Sequence, residues 1–292
     1  MDEVPHVVAV MGIGVVDADD PVITADDLGL TRGDGCFDSA RVVTTPDGEA
    51  RVVDLDVHLD RLAASARAMA IDLPDSGAWR ALVADALAAW HTPGDAVLKL
   101  VLTRGREWRA GGPTALVSIT HRPAPAAAGA GNGSAPTVTA VTLSRGHPSD
   151  AFAGAPWLLG GVKTLSYVVN VAATREARRR GADEVVFTTT DGYALEGPTS
   201  AVLVARDGTL LATPTGGTGV LESATVAAIF RGARADGLRT AFELVPVEDL
   251  YTADGVWLVS SGRGPVRISE LDGRPLRSDP ELAARVLRYA GF

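Results

Sequence analysis

The sequence predicts an α+β protein of two domains. Strand-like and helix-like patterns are mixed in both halves, no repeat is present, and residues 123–136 form a run of Pro, Ala, Gly, Asn and Ser without periodicity. Those observations predict a small N-terminal α/β domain over 1–121, a linker over 122–136 and a larger C-terminal domain over 137–292. A chain of 292 residues with 46% hydrophobic and 22% charged residues can bury two such cores.

In order, residues 6–16 alternate apolar and small residues and read as a first strand, with a turn through Asp17 to Asp20. Gly33-Asp34-Gly35 demands a tight backbone path, after which Phe37 to Val43 continues as a strand. Leu59, Leu62, Ala66 and Met69 recur at helical spacing from Asp56, the expected N-cap, to about Ala70. A second helix covers Trp79 to Trp90, and strands cover Ala96 to Thr103 and Ala115 to Thr120. Between those strands, Thr103-Arg104-Gly105-Arg106-Glu107-Trp108-Arg109 carries three arginines, suited either to a carboxylate ligand or to a surface turn. Beyond the linker, strands are expected at 137–144, 185–189, 200–205 and 256–260, and helices at 168–180 (stopped by Gly181), 224–235 and 280–289.

Composition narrows the function. A net charge of −9 without a basic block argues against a nucleic-acid surface. The single Cys36 and five scattered histidines give neither a disulfide nor metal-ligand spacing. No basic and then apolar leader opens the chain and no stretch of about twenty apolar residues occurs, so a cytoplasmic protein without a membrane span is expected.

The informative rarity is lysine. Of 27 basic side chains only Lys99 and Lys163 are lysines. Arginine serves where a positive charge suffices, whereas a lysine amine can lose its proton and attack a carbonyl. Lys99 alternates with apolar neighbours and should face outward. Lys163, in Gly160-Gly161-Val162-Lys163-Thr164-Leu165-Ser166-Tyr167, is the stronger candidate, although alone it reads equally well as a solvated charge. Pyridoxal phosphate chemistry needs such an amine, a carboxylate for the pyridine nitrogen and donors for the phosphate. Glu196 follows Lys163 by 33 residues at a strand end, and Ser223-Ala224-Thr225 opens a helix whose N–H groups favour an anion.

The order of these pieces resembles the class IV aminotransferases, the fold-type IV pyridoxal phosphate enzymes, over nearly the whole chain. His58-Leu59-Asp60-Arg61-Leu62 is similar to the family motif whose arginine binds the cofactor phosphate. Lys163 matches the Schiff-base lysine. Gly192-Tyr193-Ala194-Leu195-Glu196-Gly197 matches the segment that supplies the pyridine-nitrogen carboxylate, Leu221 to Thr225 the phosphate loop, and Ser261 a further phosphate-binding hydroxyl. The resemblance implies a two-domain D-amino-acid aminotransferase-like fold, pyridoxal 5'-phosphate held by Arg61, Lys163, Glu196, Ala224, Thr225 and Ser261, and a homodimer. Three positions depart from the pattern: Ser223 replaces a glycine, Ala201 replaces a frequent asparagine, and Tyr167 lies four rather than five residues after the lysine.

Within that family, Gly33-Asp34-Gly35-Cys36-Phe37 resembles the 4-amino-4-deoxychorismate lyases, while D-amino-acid enzymes usually carry tyrosine in place of Phe37. Arg109 matches a substrate-carboxylate arginine of both groups, but Gly111 stands where D-amino-acid enzymes have histidine. The resemblance therefore implies a lyase that forms 4-aminobenzoate and pyruvate for folate synthesis, with Lys163 catalytic and Arg109 and Phe37 binding substrate. A D-amino-acid or branched-chain aminotransferase and a non-catalytic binding protein are the alternatives.

Overall fold

The computed structural model describes residues 4–109, 111–122 and 137–292. The chain divides into two compact units, and one short piece groups against chain order. Val162–Ser166 belong with the N-terminal unit, although the residues on either side, Gly161 and Tyr167, belong with the C-terminal one. Main-chain pairing ties that piece in: Phe37 N–H donates to the Lys163 carbonyl (3.0 Å), Leu165 N–H to the Gly35 carbonyl (2.8 Å), and Thr164 bridges Cys36. A reading that ran the C-terminal domain unbroken from 137 to 292 could not show this, because the pairing joins strands far apart in sequence. The expected linker lies outside the described residues except for Arg122.

The N-terminal unit contains strands β1 (His6–Val10), β2 (Gly14–Val16), β3 (Gly35–Thr44), β4 (Ala50–Val52), β5 (Gly94–Thr103) and β6 (Thr114–His121). Its helices are α1 (Leu28–Arg32), α2 (Leu55–Ala68) and α3 (Ser76–Ala88). The strands form one antiparallel sheet in the order β2-β1-β6-β5-β3-β4. Alternation along β5 buries Leu98, Leu100 and Leu102 completely, against Leu59 and Leu62 of α2 and Leu82 of α3. The single strand expected over 6–16 is a hairpin, since Gly12 and Gly14 take φ of 78° and 98° and turn the chain between β1 and β2. Asp56 does not cap α2. Asp54 occupies the cap position at φ 52° without a side-chain cap bond, and Asp56, within the first turn, pairs with Arg80 at 2.6 Å.

The C-terminal unit contains β7 (Thr137–Ser144), β8 (Glu184–Thr188), β9 (Ala201–Arg206), β10 (Thr209–Ala212), β11 (Arg239–Phe242), β12 (Gly255–Ser260), β13 (Gly264–Leu271) and β14 (Arg274–Pro275). With them run α4 (Val168–Arg179), α5 (Ala224–Ala235), α6 (Val247–Leu250) and α7 (Pro280–Tyr289). The sheet order is β11-β10-β9-β12-β13-β7-β8, with β14 on β13. α5 and α7 pack over Leu203, Trp257 and Val259, α4 packs over Val185 and Phe187, and Leu250 of α6 joins a separate core with Val204, Leu258 and Ile268. α5 and α7 span the expected residues, because each opens on a side-chain cap: Ser223 accepts from Val226 N–H, and Asp279 from Glu281 and Leu282. β10 and β11 have four residues each, too few to show a period in sequence. Among the described residues no helix is long and apolar enough to cross a membrane.

Candidate active site

Strand β3 sends successive side chains to opposite faces of its sheet. Phe37 lies on the face turned away from α2 and α3, and Lys163 Nζ and Lys99 Nζ sit 4.6 and 4.7 Å from its ring centroid. The two lysines of the chain thus share one aromatic ring, whose negative face favours a nearby cation. Lys99 is exposed, as its alternation predicts, and partial desolvation by its neighbours pulls its pKa below the ordinary value. The Lys163 main-chain N–H donates to Ser65 Oγ at 3.3 Å, so the segment carrying the amine is also held to α2.

Asp38, the next residue along β3, points the other way. Its side chain is wholly buried, and Arg61 grips it with both arms, Nε to Oδ2 and Nη2 to Oδ1 at 2.7 Å each. His58 Nδ1 lies 2.7 Å from Oδ1; because a carboxylate only accepts, the imidazole donates there. Burial pushes the Asp38 pKa up, but the hydrogen bonds from Arg61 and His58 outweigh it and leave the carboxyl below its usual range. His58, Arg61 and Ser65 form one stripe of α2 at spacings of three and four residues, so a single helix face delivers all three. The sequence reading singled out Arg61 but missed Asp38; an aspartate alternating with Cys36 and Ala40 on an apolar strand face was the available signal.

In the C-terminal unit, Glu196 extends β8 as a short hairpin arm: its carbonyl accepts from Phe187 N–H at 2.8 Å and it bridges Ala201. The Glu196 carboxylate accepts from Leu221 N–H at 3.3 Å, a donor that no side-chain pattern could reveal. Asn170 of α4 steadies the same segment by donating to the Pro198 carbonyl at 2.6 Å. Arg263 pairs with Glu184 and reaches Ser200 Oγ, so polar contact beside Ala201 persists without the expected asparagine. At the start of α5, the Ser223 hydroxyl is committed to Val226 N–H, while Ala224 and Thr225 occupy the first turn, whose N–H groups have no intrahelical acceptor. Thr225 Oγ1 lies 3.2 Å from Ser261 Oγ, so both predicted hydroxyls meet at that helix end.

The arginine loop between β5 and β6 separates into different jobs. Arg104 clasps Asp34 and donates to the carbonyls of Met69 and Ala70. Arg106 grips Asp26 through Nε, at 3.0 Å to both oxygens. Arg109 is exposed and makes no ion pair among the described residues.

Removing the buried carboxylate should be costly. Asp38→Ala is expected to lower stability by roughly 3–5 kcal/mol at pH 7, because Arg61 and His58 lose the charge they were folded against. A depressed folded-state pKa contributes stability above the unfolded value, about 4, and loses it as pH falls through the folded value. Urea unfolding of both proteins at pH 7 and pH 3 should therefore show the gap narrowing in acid. An unchanged gap would mean that charge is not its source.

The comparisons with known proteins agree with these halves. Residues 35–271 match the amino-transferase class IV family. A bifunctional aminodeoxychorismate lyase / D-amino acid transaminase from Mycobacterium tuberculosis is 41% identical over 268 residues, 89% of either chain. The PLP-bound form of a hypothetical aminotransferase from the same organism is 39% identical, covers 98% of both chains and superposes with a TM-score of 0.87. A fold IV-transaminase from Curtobacterium pusillum is 36% identical, with 98% and 97% coverage and a TM-score of 0.87. Pyridoxal phosphate suits the groups present: an amine beside an aromatic ring in one unit, and in the other a carboxylate held by a main-chain donor and a helix start with two adjacent hydroxyls. The chain belongs to the class IV aminotransferases, pyridoxal-phosphate enzymes of two-domain α+β fold.

Proposed function

We propose that this enzyme is a 4-amino-4-deoxychorismate lyase, releasing pyruvate and leaving 4-aminobenzoate, a folate precursor made in the cytoplasm. The observation that carries the reading is the division of labour in the arginine loop. Arg104 and Arg106 are spent on Asp34 and Asp26, whereas Arg109 keeps its charge exposed for a substrate carboxylate. Phe37, without a hydroxyl, and Gly111, without an imidazole, suit an unsaturated ring better than the small carboxylate trap of a D-amino-acid enzyme. The 41% identical relative carries both activities in its name, which supports D-amino-acid transamination as the second reading.

When bound, pyridoxal phosphate would supply an electron sink for the reaction. Lys163 Nζ takes the proton lost from the substrate ring as a general base. Glu196 holds the proton on the pyridine nitrogen, with Leu221 N–H fixing one oxygen of its carboxylate. Arg61 binds the phosphate from a guanidinium whose plane Asp38 sets, and Ala224, Thr225 and Ser261 supply the remaining phosphate donors. Trp157 (75% exposed) and Val168 (70%) leave apolar surface on the C-terminal unit for a second copy of the chain to cover, which supports a homodimer.

Three measurements test this. Arg109→Ala should raise the KM for aminodeoxychorismate roughly ten- to hundredfold, the loss of one charged hydrogen-bonding partner, and leave the visible band of the bound cofactor unchanged. Equal KM values, or turnover of D-alanine with 2-oxoglutarate far faster than pyruvate release from aminodeoxychorismate, would sink the lyase reading. Arg61→Ala should weaken pyridoxal phosphate binding by about 2–4 kcal/mol, measured by titrating the cofactor into apoenzyme. Light scattering should give about twice the 30.1 kDa chain mass; an active species at the mass of one chain would remove the dimer.

A further inference from the structure

Between β7 and the lysine-bearing segment, the chain makes a loop that carries Phe152, an aromatic side chain outside the main cores. Phe152 is half-buried, and it is wedged between two glycines. A Cβ on Gly160 would lie 2.4 Å from its Cδ1, and a Cβ on Gly219 would lie 2.5 Å from its Cδ2 and Cε2. No side chain other than hydrogen fits at either point, so the ring is in direct contact with both backbones. Around that ring the two glycine segments are joined: Gly161 N–H donates to the Gly219 carbonyl at 2.9 Å, and Phe152 N–H donates to the Gly217 carbonyl at 3.0 Å. His147 meets the ring edge-on at 5.0 Å between centroids, and the base of the loop is pinned where Ser149 N–H and Oγ reach Asp191 at 2.9 and 2.7 Å.

Each segment under the ring continues into a residue of the chemistry. Gly160-Gly161 leads through Val162 into Lys163. Gly219 leads through buried Val220 into Leu221, whose N–H donates to Glu196, and then to the Ser223 cap of α5. Between them, Gly219 N–H bonds the Gly216 carbonyl at 2.9 Å and Val220 N–H bonds Thr218 Oγ1 at 3.2 Å, so the loop is closed by its own turns. Turns of this kind hold a shape; where the loop sits depends on its contacts with other segments, the bonds from Gly161 and Phe152 N–H and the packing of the Phe152 ring on Gly160 and Gly219.

We propose that Phe152 is a positioning residue of the cofactor site, setting the 216–221 loop so that Leu221 N–H meets the Glu196 carboxylate, and securing the glycines that lead into Lys163. The proposal rests on the reading of Glu196 as the partner of the pyridine nitrogen. Phe152 touches neither cofactor nor substrate in this role and acts through the backbone of Gly219 and Gly160.

The test uses Phe152→Ala, Phe152→Tyr, Gly160→Ala and Glu196→Gln in the full-length protein. Hydrogen exchange of residues 216–221 is followed without cofactor, and the pH titration of the visible band is followed with pyridoxal phosphate bound. Phe152→Ala should speed exchange in that loop on the order of tenfold and move the titration midpoint in the same direction as Glu196→Gln. Phe152→Tyr, which keeps the ring, should behave as wild type. Gly160→Ala, whose new methyl meets the ring, should reproduce the alanine effect, and adding Phe152→Ala to it should cost less than the two single changes together. A Phe152→Ala protein with wild-type exchange at 216–221 and a wild-type titration, altered only in melting temperature, overturns the proposal. If Phe152→Ala misfolds, Gly160→Ala carries the same two readouts. A Glu196→Gln protein with an unshifted titration overturns instead the assignment of Glu196, and the exchange result then decides the role of Phe152 in the loop by itself.

Discussion

The N-terminal half of the site depends on one buried charge. Asp38 has no exposed side-chain surface, and a carboxylate in that position is tolerable only if it is fully paired. Arg61 and His58 pair it, and in doing so they fix the rotation of α2 against β3. The orientation of that helix then sets Ser65 under the Lys163 main chain. One electrostatic requirement thereby holds the arginine assigned to phosphate and the backbone of the amine on a common support. Phe37 is the neighbour of Asp38, so the same strand presents the charge to the helices and the ring to the lysines.

The C-terminal half is held mainly by backbone. Glu196 is oriented by a main-chain N–H, the arm that carries it by strand pairing and by Asn170, and the start of α5 by a serine cap. Main-chain donors cost little entropy to order because secondary structure has already ordered them. Such a site tolerates side-chain change, which accounts for two departures from the family pattern. Ser223 in place of glycine supplies a side-chain cap to α5, and Ala201 keeps its strand bridge to Glu196 without a side-chain amide.

The preference for arginine has a structural meaning in this chain. Arg61, Arg104 and Arg41 each make forked contacts to a carboxylate, and Arg106 makes one through Nε, geometries that an ammonium reproduces poorly. These four arginines thus serve as fixed braces, and both lysines lie over the ring of Phe37.

Much of this was legible in order along the chain. Hydrophobic period and caps specify α3, α5, α7 and the strands β3, β5, β6 and β7, because those signals are local, whereas β13, as long as β6 and β7, is not read from them. The scarcity of lysine, the spacing from Lys163 to Glu196 and the Ser223-Ala224-Thr225 helix start suggest a chemistry, because residue type limits what can hold a phosphate or attack a carbonyl, but it is their order, in its resemblance to the class IV aminotransferases, that points to pyridoxal phosphate. Tertiary structure alone decided which groups those residues answer to. Asp38 meets Arg61 across 23 positions, Arg104 meets Asp34 across 70, and Leu221 meets Glu196 across 25. The grouping of Val162–Ser166 with the N-terminal strands is likewise a matter of pairing at a distance. A sequence states which charges and donors exist; burial, which removes water as the alternative partner, decides which of them must find one another.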